Sequence, residues 1–146
     1  MKNPLVKSIL TLASVVVLFG AFSTAMAADK DHKLVIQVSS DDARTQKIAL
    51  NNAVNLQKLY GMDNVTIEVV AYGPGLGLLT TKSKEADRVK SLAMQNITFS
   101  ACGNTMKKIE KKKGKKPQLT EGVGVVDAGV ARILALQEDG YSYLRP

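Results

Sequence analysis

Apolar and polar positions along this chain follow two rhythms that take turns. Lys33-Leu34-Val35-Ile36-Gln37-Val38 is short and nearly continuously apolar, the pattern of a strand covered on both faces. Ser39-Ser40-Asp41-Asp42 follows as a turn rich in helix-capping side chains. From Arg44 to Tyr60 the period becomes helical. Ala49, Ala53, Leu56 and Tyr60 share one stripe, widened by Leu50 and Val54, and Gly61 ends the run. Val65 to Ala71 reads as a second strand and Gly73-Pro74-Gly75-Leu76-Gly77 as a loop. Ser83 is placed to cap a helix reaching about Gln95, with Ala86, Val89, Leu92 and Ala93 on its apolar face. Ile97 to Ala101 is a third strand, and a short helix runs from Asn104 to about Lys112, broken by Gly114 and Pro117. Val123 to Val126 is a fourth strand. Asp127 then caps a helix presenting Val130, Ile133, Leu134 and Gln137, closed at Gly140, before a last strand over Tyr141 to Leu144.

Strands alternating with helices require crossover connections, so the fold class is α/β with a mostly parallel sheet of about five strands, helices on both faces. In such sheets ligands gather beyond the carboxyl ends of the strands. Ser39 to Asp42, Gly73 to Gly77 and Cys102 to Thr105 all follow strands and are expected to open on one edge.

The first 27 residues stand apart. Lys2 and Lys7 precede an apolar stretch from Ile9 to Phe22, and Ala25-Met26-Ala27 is a small-x-small cleavage site. Residues 1–27 are expected to be a cleaved signal peptide, which makes the product periplasmic, with no stable membrane insertion once the leader is gone. Residues 28–146 form one domain of ordinary core size. Cys102 is the only cysteine, so no internal disulfide can form and zinc sites built on cysteine pairs are excluded. The only histidine, His32, lies near the expected mature start and is read as a frayed surface residue, not the partner of a Cys-His pair. The basic charge is local. The run Lys107 to Lys116 holds seven lysines and one glutamate, and the remainder of the mature chain is close to neutral. This argues for one basic patch and against a nucleic-acid coat; such a run is most simply a solvated face, with capture of an anion or acidic partner as its functional reading.

Candidate chemistry centres on Cys102, in Phe99-Ser100-Ala101-Cys102-Gly103-Asn104-Thr105-Met106. A sulfur between a strand and a helix start meets unpaired N–H groups and a partial positive charge, both of which favour thiolate. Gly103 removes bulk beside it, and Asn104 and Thr105 are capping residues. With no second cysteine, it cannot work as a two-cysteine oxidoreductase. The glycine run after the second strand lacks the remainder of a dinucleotide fingerprint, and no P-loop lysine follows it. Gly73 and Gly75 are read as shaping the wall beside Cys102. Asp41-Asp42 is read as capping the first helix rather than as a catalytic pair. Neither a cofactor nor a metal is implied.

Four segments carry a resemblance: the opening strand, Val69-Val70-Ala71-Tyr72-Gly73-Pro74-Gly75, the Phe99 to Met106 segment, and Gly122-Val123-Gly124-Val125-Val126-Asp127-Ala128-Gly129-Val130, with a similar ending in Gln137 to Pro146. On these the chain resembles the DsrE/DsrF-like family, which includes sulfur-relay subunits. The resemblance implies a three-layer α/β/α fold, assembly as a homo-oligomer, and a cysteine, matching Cys102, that carries sulfur as a persulfide. Two functional readings stand. One is a periplasmic sulfur-handling protein that loads sulfane sulfur on Cys102, with Gly103, Asn104, Thr105, Gly73 and Gly75 forming the binding surroundings and a small-molecule or protein donor and acceptor. The other is a non-enzymatic oligomeric module binding a small anion or partner, in which Cys102 is structural or redox-sensing.

Overall fold

Residues 32–146 are described by the computed structural model; the leader expected at 1–27 lies outside them. The order is β1 (His32–Val38), α1 (Ala43–Tyr60), β2 (Val65–Ala71), a 3₁₀ segment (Gly73–Leu79), α2 (Ala86–Ala93), β3 (Ile97–Cys102), α3 (Gly103–Lys113), β4 (Val123–Val126), α4 (Gly129–Glu138) and β5 (Ser142–Leu144). The sheet runs β4-β3-β2-β1-β5, and every neighbouring pair is parallel. All five carboxyl ends therefore share one edge.

The path explains the layers. The chain steps in one direction from β1 through β2 and β3 to β4. Right-handed crossovers place α1, α2 and α3 on one face. From β4 it must return across the whole sheet to β5, beyond β1, and the same handedness puts α4 on the opposite face. The strand register agrees. Ile36, Val69 and Phe99 line up across the sheet and belong to the larger core with Ala49, Leu50 and Ala53 of α1. Val35 and Val70 point the other way and pack with Ile133 and Leu136 of α4. One face thus carries most of the core, and a single helix covers the other.

Local chemistry sets the ends. Asp42 is the N-cap of α1, its carboxylate accepting the Thr45 N–H at 2.7 Å, and this bond holds the carboxyl below its usual value. Gly61 closes α1 at φ 86°. Gln57 lies on the buried stripe of α1 because its amide donates to the Gln95 carbonyl at 2.5 Å, tying α1 to the turn before β3. His32 opens β1 and stacks on Tyr60, ring centroids 3.8 Å apart, so it is anchored and not frayed. It sits at the amino end of its strand, away from the carboxyl edge.

Three expected elements differ. The Gly73–Gly77 loop is the start of a 3₁₀ segment extending to Leu79, which buries Gly75, Leu76, Leu78 and Leu79. Pro74 presets its first turn. Ser83 does not cap α2: its hydroxyl accepts the Glu85 N–H in a turn, and the helix spans only Ala86–Ala93. Asp127 does not cap α4 with its side chain; the N-cap is Ala128, and the Asp127 carbonyl accepts the Asn104 N–H at 3.1 Å. The buried stripe of α4 is Gly129, Ile133 and Leu136, while Val130 and Leu134 are 67% and 59% exposed. Of the expected stripe only Ile133 is buried; the face that meets the sheet carries Ile133 and Leu136 against Val35 and Val70 and turns Arg132 to Glu68.

Gly75 and Gly77 separate packing from flexibility. A Cβ on Gly75 would fall 2.2 Å from the Val38 carbonyl oxygen, whereas one on Gly77 meets nothing within 4 Å. Gly75→Ala is expected to cost about 1–3 kcal/mol or more, since backbone must move. Gly77→Ala is expected to stay within about 0.5 kcal/mol of wild type. Urea unfolding of the two variants checks the contrast.

Candidate functional site

β3 delivers Cys102 to the carboxyl edge in extended conformation, φ −71° and ψ 115°, as the N-cap residue of α3. Its side chain does not cap the helix. The residue is 5% exposed. Burial by itself raises the thiol pKa. The Thr105 hydroxyl and the backbone N–H groups of Gly129, Thr105 and Asn104 act the other way and together prevail, holding the thiol below its ordinary value.

The Thr105 hydroxyl is oriented. The Gly73 N–H donates to its oxygen at 3.0 Å, which occupies a lone pair and leaves the hydroxyl proton free. Gly73 turns its N–H this way at φ 55°, in the left-handed region where glycine is at ease. The three loops expected to converge do so. Tyr72 N–H donates to the Val38 carbonyl at 3.1 Å, Gly75 lies against Val38 and Ser39, and Gly73 reaches Thr105.

Sequence reasoning missed Gly129. A Cβ there would lie 3.0 Å from Tyr72 Cδ1 and 3.3 Å from Cys102 Cβ. Glycine therefore lets the amino end of α4 close on the sulfur from the opposite side of the sheet to α3. Two helix amino termini, each equivalent to roughly half a positive charge, face one thiol. Their convergence follows from topology: β3 and β4 are neighbours, and the helix leaving β3 goes to one face while the helix leaving β4 goes to the other.

The other expected site residues divide. Asn104 is exposed and brings its N–H to the sulfur's surroundings, although that N–H is also held by the Asp127 carbonyl. Gly103 gives clearance to the end of β4, since a Cβ would sit 3.1 Å from the Val126 carbonyl oxygen. Gly75 packs against the end of β1. Gly73 reaches the Cys102 surroundings through its bond to the Thr105 hydroxyl, and Gly103 and Gly75 set the spacing of the elements.

A second missed cluster lies beneath the site on the α4 face. Glu68, in the middle of β2 and 3% exposed, accepts from Arg132 Nε at 2.9 Å and Nη2 at 2.7 Å, one bond to each carboxylate oxygen, and from the Ser100 hydroxyl at 2.6 Å. The Glu68 carboxylate raises the Arg132 pKa further. Arg132 lies one turn after Gly129, and Ser100 two residues before Cys102. The clamp fixes the rotation and height of α4 and so the position of the Gly129 N–H. A glutamate within the apolar run Val65–Ala71 was the available signal, because a buried carboxylate demands a partner.

Thr105→Val is expected to move the midpoint of Cys102 alkylation against pH upward, while Thr105→Ser leaves it near wild type; iodoacetamide rates across pH measure both. The sign of the stability linkage follows. The folded thiol pKa is depressed, so its contribution is fully present above the unfolded value of about 8.5 and is lost as pH falls through the folded value. Cys102→Ser is expected to remove that pH dependence from the urea midpoint. Arg132→Met is expected to cost about 3 kcal/mol, the low end for breaking a buried pair because Arg132 is 39% exposed. Adding Glu68→Gln is expected to restore part of the loss, measured by the same unfolding.

Comparison with known proteins adds the family. The sequence profile of the DsrE/DsrF-like family matches residues 32–146. Among solved structures, the chain is similar to a protein of unknown function, MTH1491, from Methanobacterium thermoautotrophicum, with 34% identity and a TM-score of 0.71, covering 80% of this chain and 100% of that one. No curated protein matches. With a profile spanning the whole described domain and a solved relative of the same fold, the chain belongs to the DsrE/DsrF-like family.

Proposed function

We propose that this protein handles sulfane sulfur, holding it as a persulfide on Cys102. The observation that carries the reading is the gathering of two helix starts at one sulfur: Cys102 is the N-cap of α3, Gly129 at the start of α4 lies against it, and the Gly73 N–H orients the Thr105 hydroxyl beside it. Such an arrangement stabilises an anion and does little for a neutral packed thiol.

The chemistry balances without an added oxidant. The Cys102 thiolate attacks the outer sulfur of a donor R–S–SH. A new S–S bond forms to Cys102, the donor S–S bond breaks, and R–S⁻ leaves with the bonding pair. The product Cys–S–SH loses a proton to give Cys–S–S⁻, whose terminal charge takes the place of the thiolate in the same field. An acceptor thiolate attacking the outer sulfur releases Cys102 as thiolate. Family membership, which links the fold to sulfur relay, supports the carrier role. The leader expected at residues 1–27 would put donor and acceptor in the periplasm. Exposed Val125, Val130 and Leu134 on β4 and α4, on the side of the molecule that holds Cys102, support assembly with further copies of the chain.

One observation favours a second reading. Cys102 is 5% exposed, lying against Gly129 and close to Tyr72, which suits a packed or redox-sensing thiol in a binding module. The two readings separate by mass. Incubation with inorganic polysulfide is expected to add one sulfur atom per chain, removable by dithiothreitol and absent in Cys102→Ser. An unchanged wild-type mass, where a rhodanese control loads, would support the packing reading.

A further inference from the structure

The sulfur site leaves unused a cavity on the other side of the 3₁₀ segment, about 800 Å³ in volume. That is within the range of small-molecule sites, roughly 300–1,000 Å³. Its origin is local. After α3 the chain turns back, and the return segment pairs with the end of the 3₁₀ segment. Thr81 N–H donates to the Gln118 carbonyl at 3.0 Å, Thr120 N–H to the Leu79 carbonyl at 2.9 Å, and Thr80 bridges Leu119. These bonds hold the two walls together but leave α3 standing off, with Ile109 facing the gap. The wall is thus framed by backbone pairing.

The lining has two kinds of surface. Half-buried Ile109 and Pro117 supply an apolar floor, backed by the core residue Leu76, and Lys82, Lys113, Lys115 and Lys116 supply the rim. No carboxylate lines the space, and none of the four lysines makes an ion pair among the described residues. The carboxyl end of α3 contributes about half a negative charge there, which four ammonium groups exceed. We infer that this cavity binds a small amphipathic anion, its acidic head on the lysine rim and its hydrocarbon part on the Ile109–Pro117 floor. A bare inorganic anion would leave the floor wet, and a neutral hydrocarbon would bury itself beside four unpaired charges. The combination of surfaces selects a molecule carrying both features. The site accounts for part of the lysine run that Cys102 chemistry does not employ, and it does not depend on the persulfide reading.

The test uses purified protein and 8-anilinonaphthalene-1-sulfonate as a fluorescent amphipathic anion. One probe is expected to bind per chain and to be displaced by decanoate, with neither inorganic phosphate nor decanol displacing it at the same concentration. The triple variant Lys113→Gln, Lys115→Gln, Lys116→Gln is expected to weaken binding about tenfold, as three partly screened charges would. These side chains are exposed, so an unchanged urea midpoint serves as the folding control. Gly77→Phe, at a position with open space around its Cβ, is expected to obstruct the cavity and weaken binding. Cys102→Ser is expected to bind as wild type, which keeps this result separate from any failure of sulfur loading. Displacement by phosphate as effective as by decanoate would overturn the proposal in favour of a plain basic patch. Displacement by decanol, or by an acidic octapeptide, would overturn it in favour of a neutral pocket or a peptide surface. Wild-type affinity in the lysine variant or in Gly77→Phe would also overturn it.

Discussion

The Glu68–Arg132 ion pair is the constraint on which the rest of the edge depends. A carboxylate in the middle of a parallel strand is costly to bury unless its oxygens are matched. Here they are matched by a planar guanidinium and a serine hydroxyl. Meeting that demand fixes α4 in one rotation, which brings Gly129 against Cys102 and leaves Val130 and Leu134 facing outward. The polar clamp acts beside the apolar packing of Ile133 and Leu136 on Val35 and Val70. Its return is positional: it sets where an N–H points one turn away.

The sulfur then sits where two helix starts meet, an arrangement that the sheet order produces without special loops. A thiol at the end of β3 has the helix that follows it on one face, and the helix that follows the adjacent strand on the other. Burial and hydrogen bonding oppose each other at Cys102, and hydrogen bonding prevails. The same near-burial that strengthens those bonds also limits entry of a reaction partner.

Charge on this molecule is divided by position along α3. Its amino end serves the thiol, with Thr105 oriented by Gly73. Its carboxyl end carries Lys111, Lys112 and Lys113, which complement the helix dipole, and part of that cluster rims the cavity. α3 has no fully buried residue and is held by half-buried Met106 and Ile109. One lightly seated helix therefore links two electropositive surfaces, the first made by its dipole and the second by lysine side chains.

The sequence by itself determined the alternation of strands and helices, the parallel sheet, the gathering of three loops at one edge and the helix start at Cys102. These are properties of local periodicity and of caps such as Asp42 and Gly61, which act within a few residues. It also placed Gly73 and Thr105 near the sulfur, because both directly adjoin strand ends on the same edge. What only the tertiary structure decided were pairings between distant segments. Glu68 finds Arg132 across 64 positions, Gly73 finds Thr105 across 32, and Gly129 reaches Cys102 from the far face. Helical periodicity placed Ile133 inward correctly but put Val130 and Leu134 there too, because hydrophobicity does not register a carboxylate waiting on another strand. The 3₁₀ segment was hidden behind glycine and proline, residues that signal a turn but do not show that Leu76, Leu78 and Leu79 bury themselves in the core.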